Sequence, residues 1–226
     1  MPPAATSQRQ AVIDRCAAAV CSLGVGRLRV AVDGYTAAGK TSFGHELAAA
    51  VRALGRPTMR ASLDDFKKPW RDAVEKGYDR TTGKGYYRNA PDFDTARTRL
   101  LEPAGPEGSG RVSLCGHDPL TGEDHRETVV TAPINSVLIV DSVFACRPEY
   151  DQYWDYRVWL SIDPALSLER GVARDTDLEG REEAERLHRD RYHRAETIYI
   201  AEVNPVAVAD MVIDNTDFSA PTILRS

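Results

Sequence analysis

The stretch "VAVDGYTAAGKTSFGHEL", residues 30–47, decides the fold. It passes from an apolar strand pattern through two glycines into a lysine, a threonine and a helical pattern. Within it, residues 34–41 read G-Y-T-A-A-G-K-T, a full match to G-x(4)-G-K-[ST], the Walker A phosphate loop. The motif needs a strand before it and a helix after it. Both are present: "RLRVAVD" (27–33) reads as a short strand, and "KTSFGHELAAAVRAL" (40–54) as a helix ended by Gly55 before Pro57. Gly34 and Gly39 let the main-chain N–H groups of Tyr35, Thr36, Ala37 and Ala38 turn inward around phosphates, and the helix opening at Lys40-Thr41-Ser42 adds partial positive charge. Lys40 supplies a full positive charge, and the Thr41 hydroxyl can ligate Mg²⁺. A plain strand-to-helix turn would account for the glycines but not for Lys-Thr after the second one. The loop is expected to bind a nucleoside triphosphate. "GVG" at 24–26 precedes the strand and lacks a third glycine, so it is no dinucleotide fingerprint.

Outward from the loop, strands and helices alternate. Residues 1–24 hold a lead-in helix with Val12, Ile13, Cys16, Val20 and Leu23 at helical spacing. "PTMRASLDDF" reads as a strand delivering Asp64 and Asp65 at its end, and polar, Gly-rich sequence over 67–91 as a long functional loop. "PDFDTARTRLLEP" is a helix begun by Pro91 and Asp92, and "RVSLC" with "ETVVT" forms a β-hairpin appendage over about 111–131. "SVLIVD" (136–141) is the near-continuous apolar run of a strand covered on both faces; "YRVWLSID" and "DMVIDN" are further strands. Between the last two lies a charged helical stretch interrupted near "TDLEG". The pattern is one α/β domain over 1–226 with a doubly wound sheet.

Bulk properties agree. The 226 residues carry a formal charge of −5, which argues against a nucleic-acid polymer or an anionic membrane as partner and confines any phosphate-binding surface to a local cleft. Cys16, Cys21, Cys115 and Cys146 show neither CxxC pairing nor metal-ligand spacing, as expected of reduced thiols in a cytoplasmic protein. No run of about 18 apolar residues marks a membrane span. A homo-oligomer is compatible with the composition.

In a doubly wound sheet, ligands bind outside the carboxyl ends of the strands, where Asp64, Asp65 and Asp141 fall. Phosphoryl transfer needs one carboxylate to orient or deprotonate the attacking oxygen and another to hold Mg²⁺. Asp141 suits the metal; Asp64 suits the first role or the metal, with Asp65 as the alternative base and helix capping as the structural alternative for both. Arg170 and Arg174, four apart in "ERGVARD", share a helix face that could close over phosphates as part of a lid at about 170–194, or pair with solvent-side acids such as Asp177. Arg189, Arg191 and Arg194 follow on the same stretch. His117, and Tyr86, Tyr87 and Arg88, are candidates for an acceptor wall, with ordinary loop packing as the alternative. No zinc-ligand spacing and no G-x-S-x-G elbow is present.

Together, "GYTAAGKTS", "LDDF", "VLIVDSVFACRPEY", "RGVARD" and "ADMVIDNTDF" resemble the uridine kinase-like branch of P-loop kinases, the group of uridine-cytidine kinase, phosphoribulokinase and bacterial pantothenate kinase. The resemblance spans most of 27–218. It implies a P-loop NTPase fold with a mostly parallel five-stranded sheet, a helical lid and a small β appendage. It also implies ATP and Mg²⁺ as cofactors, with transfer of the γ-phosphate to a hydroxyl, of a nucleoside such as uridine or cytidine in the named nucleoside kinases. Asp64 then matches the catalytic acid, Thr41 and Asp141 the Mg²⁺-associated groups, and Arg170 and Arg174 the lid arginines. Two departures bear on the acceptor: Asp141 is followed by Ser142 rather than glycine, and "CGHDPLTGEDHR" matches the nucleoside-gripping segment only loosely. Pantothenate, a sugar or a specialised metabolite remain alternative acceptors. A nucleotide-dependent regulatory module is the alternative from another class.

Overall fold

The computed structural model describes residues 6–118 and 121–226. Its frame is a six-stranded sheet with strands β1 (Leu28–Gly34), β2 (Thr58–Ser62), β5 (Val137–Asp141), β6 (Tyr156–Ser161), β7 (Met211–Asp214) and β8 (Thr222–Arg225). A separate two-stranded ladder joins β3 (Arg111–Val112) to β4 (Val130–Thr131). Across the large sheet the order is β2-β5-β1-β6-β7-β8. The five expected parallel strands are there, and β8 adds an antiparallel edge on β7.

The helices are α1 (Ser7–Ser22), α2 (Lys40–Ala53), α3 (Trp70–Lys76), α4 (Gly83–Asn89), α5 (Phe93–Ala96), α6 (Pro148–Asp151), α7 (Pro164–Glu179), α8 (Arg181–Arg186), α9 (His193–Val203) and α10 (Pro205–Val208). Two π-helical segments, Arg97–Leu101 and Leu187–Tyr192, continue α5 and α8. The lead-in helix is therefore α1; the first five residues of that expectation lie outside the described residues, as do residues 119–120 of the expected hairpin loop. Among the described residues, no helix is long and apolar enough to cross a membrane.

β1 and β5 are buried because helices cover both faces of the sheet, and this is why they read as apolar runs. On one face Val12, Ile13, Cys16 and Val20 of α1 and Phe43, Leu47 and Val51 of α2 pack on Val30, Val32 and Ile139. On the other, Leu63, Phe66, Leu100 and Leu101 pack on Leu138 and Val140. Each such side chain contributes about 1.5–3 kcal/mol by leaving water. An aromatic cluster of Tyr86, Tyr87, Phe144, Trp159 and Tyr199 ties α4 and α9 to the sheet near the strand ends.

Two expectations are corrected. The strand before the acid pair ends at Ser62, and Asp64 and Asp65 ride on a 3-10 turn, Leu63–Phe66, whose first free amide is capped by the Ser62 hydroxyl. The stretch 67–91 is not a structureless loop: it holds α3 and α4, each only seven residues long, the second begun by Thr82 accepting from the Gly85 amide. The expected hairpin over 111–131 is present, with β3 paired to β4 and His117 bridged to Asp124 farther along its arms. Its first arm docks on the 3-10 turn, the Gly116 and His117 amides donating to the Asp65 carbonyl at 2.9 and 3.0 Å.

Candidate active site

β1 carries the chain to Gly34, which faces Leu160 of β6 in register. A Cβ at Gly34 would stand 2.6 Å from the Leu160 carbonyl oxygen, so the loop can leave the sheet this closely only with glycine there. Gly39, at φ 88°, begins α2; no side chain caps that helix and its first turn holds no acid, which leaves orphan amides for an anion. Lys40 lies back along the loop, its Nζ donating to the Tyr35 carbonyl at 2.7 Å. Burial pushes this ammonium below its ordinary pKa, against the opposing pull of Glu196, Asp33, Asp64 and Asp141.

The loop is held from beneath by groups that the sequence did not single out. Buried Asp33 accepts from the Gly34 amide at 2.7 Å and the Cys146 amide at 3.1 Å, and also from the Tyr199 hydroxyl. Glu196 of α9 accepts from the Thr36 amide at 2.6 Å, and Asn215 donates to the Ala38 carbonyl at 2.7 Å.

Above the loop lies a cavity of about 500 Å³ lined by Thr36, Ala37, Gly39, Lys40, Thr41 and Ser42, together with Asp64, Asp141, Arg170 and Arg174. Nearly all the expected nucleotide-site residues thus meet at one place. Gly34, Tyr35 and Ala38 support the loop from behind, Tyr35 packing edge-on against Trp159 at 5.9 Å. The Thr41 hydroxyl donates to Asp141 Oδ2 at 2.8 Å, while Asp141 Oδ1 receives Arg60 from β2 at 2.5 Å.

A hydroxyl and two carboxylates beside a lysine form a hard-oxygen donor set that fits Mg²⁺. Among the described residues, no group of three or more His, Cys, Asp or Glu side chains could hold a metal ion. The fit is therefore to an ion carried in on phosphates, with Thr41, Asp141 and Asp64 beside it.

The two acids of the 3-10 turn differ. Desolvation pushes the Asp64 carboxyl up, but the Lys67 ammonium, 2.9 Å from Oδ1, outweighs it with help from Lys40 and Arg174 and holds Asp64 below the ordinary carboxylate range. Asp65 is pushed up to about 6 by burial and by the neighbouring charges of Asp64 and Asp141. Its side chain lines neither this cavity nor the next.

Arg170 and Arg174 reach the cavity from α7. Arg170 donates to the Thr216 carbonyl at 2.6 Å; Arg174 forks onto Asp175 at 2.6 and 2.9 Å rather than onto Asp177. Asp175 in turn meets His188 Nε2 at 2.7 Å, linking α7 to the π-helical segment after α8.

A second cavity, about 470 Å³, adjoins the first and shares Asp64, Lys67, Tyr86 and Tyr192 with it. His117 lines it, as expected of an acceptor wall. Tyr87 and Arg88 do not. Tyr87 turns into the core, 5.1 Å from Phe144 and under the Arg147 guanidinium, and Arg88 points to solvent and pairs with Glu202. Helical geometry allows only one side of α4 to meet the cavity, and Tyr86 occupies it, its hydroxyl accepting from Lys67 at 2.6 Å. Sequence reasoning missed Lys67, Trp70 and Arg80; Pro69-Trp70 at the head of a short helix was the available signal.

No protein-family model matches the sequence, and no curated protein matches it either. Solved structures do. A possible uridine kinase from Bacillus stearothermophilus superposes with a TM-score of 0.68 at 20% identity, covering 88% of this chain and 96% of that one. A provisionally assigned fructose transport system kinase from Silicibacter gives 0.66 at 20% identity, over 83% and 94% of the two chains. The D-glycerate 3-kinase of Cryptococcus neoformans gives 0.61 at 12% identity, over 95% and 99%. At these identities the likeness is one of architecture: the chain has the α/β P-loop fold of these structures, as the resemblance implied.

Proposed function

We propose that this protein is an ATP-dependent small-molecule kinase that transfers the γ-phosphate to the hydroxyl of a small acceptor. The observation that carries the reading is the position of Asp64: it lines both the cavity above the phosphate loop and the adjoining one, so a carboxylate stands where donor and acceptor meet. The amides at the start of α2 and Lys40 hold the β- and γ-phosphates, and Arg170 and Arg174 neutralise charge on the transferred group. Asp64 takes the acceptor's proton as the new O–P bond forms. The bond from the γ-phosphorus to the bridging oxygen breaks, and ADP leaves with its electron pair. Bound Mg²⁺ supplies charge neutralisation at the phosphates, beside Thr41 and Asp141. Lys67 keeps Asp64 ionised and therefore ready to accept.

Among acceptors, uridine and cytidine are first in the assay because of the family resemblance; sugars and hydroxy acids stand beside them. The test is acceptor-stimulated ADP release from ATP, with the phosphorylated position fixed by phosphorus NMR. Release that is slow and indifferent to every acceptor would replace this reading with that of a nucleotide-dependent regulatory module.

A further inference from the structure

The second cavity is markedly basic. Lys67, Lys68, Arg71, Arg80 and Arg191 line it, against the carboxylates of Asp64 and Asp118. Lys67 is paired with Asp64, and Arg71 lies 3.8 Å from Asp72. Among the described residues, no carboxylate forms an ion pair with Lys68, Arg80 or Arg191. For Arg80 this matters most, because it is only 4% exposed and a buried guanidinium without a counter-charge is costly. It donates to the Lys68 carbonyl, but its Nε has no partner. His117, 7% exposed on the same wall, likewise has Nδ1 unpartnered. Both unpartnered atoms belong to side chains that line one cavity.

Trp70 adds a steric argument. The Arg80 guanidinium lies over its indole at 4.4 Å from the ring centroid and that of Arg191 at 5.2 Å. Two cations thus already stack on the ring that a neutral nucleobase would use.

Resting on the kinase reading above, we infer that the acceptor is an anionic alcohol: it carries a carboxylate or phosphate that pairs with Arg80, Arg191 and Lys68 while its hydroxyl points to Asp64. An oxyanion group matches the planar forks of the arginines. A neutral nucleoside would bring no charge to pair with Lys68, Arg80 and Arg191.

Trp70 is the most exposed of the three tryptophans, at 46%, and reports on this cavity directly. With the phosphate loop saturated by a non-hydrolysable ATP analogue and Mg²⁺, titration with D-glycerate (carboxylate arm) or ribose 5-phosphate (phosphate arm) should change its fluorescence saturably. Uridine and ribose should not, and Trp70→Phe should abolish the signal. In turnover, one of the anionic alcohols should give acceptor-dependent ADP release, and Arg191→Gln should raise its KM by about tenfold or more with a smaller effect on kcat, as expected for one lost charged hydrogen bond. Arg80→Gln is the companion variant, and circular dichroism checks its folding. The inference is overturned if uridine binds and turns over as well as either anion and Arg191→Gln leaves its KM unchanged; the kinase reading survives that result. Failure of both anionic arms to move Trp70 fluorescence also overturns it. Anion binding with no ADP release under any acceptor would instead sink the kinase reading and leave the anion site standing.

Discussion

Which acid of the 3-10 turn accepts the proton can be decided by pH. Asp64 is held below the ordinary carboxylate range by Lys67, whereas Asp65 is raised to about 6. A base must be ionised to act, so the acidic limb of kcat/KM reports its pKa in the free enzyme. Were Asp65 the base, only about 10% would be ionised at pH 5, and kcat/KM would fall about tenfold below its plateau. With Asp64 as base the profile stays flat at pH 5, and that is the expected result. Asp64→Asn, which keeps size and removes the proton acceptor, should lower kcat by about 10²–10⁴, equivalent to ~3–5 kcal/mol of barrier. Asp65→Asn should cost far less. A limb near pH 6 that Asp65→Asn removes, together with a mild Asp64→Asn defect, would refute the assignment. Stability offers an independent check. A carboxyl raised in the folded state favours folding most below its unfolded pKa and loses that contribution as pH rises through about 6. Wild type should therefore lose melting temperature relative to Asp65→Asn between pH 4 and pH 7.

Three further outcomes are expected. Lys40→Ala should keep the fold and lower turnover by about 10²–10³, because it removes charge stabilisation that grows as the γ-phosphate departs; circular dichroism and steady-state kinetics check it. Gly34→Ala places a methyl 2.6 Å from the Leu160 carbonyl oxygen at φ 154°, and overpacking with backbone strain should destabilise by roughly 2–6 kcal/mol, read from urea denaturation; a loss under about 0.5 kcal/mol would show that the loop entry is not close-packed. Limited proteolysis between 170 and 190 should slow when ATP and acceptor are both present, and no slowing at saturation would remove the lid from the account.

The sequence carried the frame and the nucleotide half of the site because both are written locally. An apolar run followed by glycines and Lys-Thr dictates strand, loop and helix within 20 residues of chain, and "VLIVD" places Asp141 at a strand end by the same logic. Arg60 was invisible because it sits mid-strand in β2 and finds Asp141 only through the parallel pairing of β2 with β5. Glu196 and Asp33 are separated by 163 positions from each other in the chain yet grip the same loop, which no spacing rule encodes. Residues 67–91 read as loop in the sequence because α3 and α4 are too short to show a periodicity, and the stack of Arg80 on Trp70 depends on the fold.

The packing of Gly171 against His188 has a mechanical consequence. A methyl at position 171 would fall 2.2 Å from the imidazole, and His188 Nε2 meets Asp175 at 2.7 Å, so α7 and the π-helical segment are clasped at this point. The first leg presents Arg170 and Arg174 to one chamber; the second presents Arg191 to the other and Tyr192 to both. If this pair tilts over a bound triphosphate, the clasp would carry Arg191 along with it. Filling one chamber would then reshape its twin, and the two ligands should bind with synergy rather than independently.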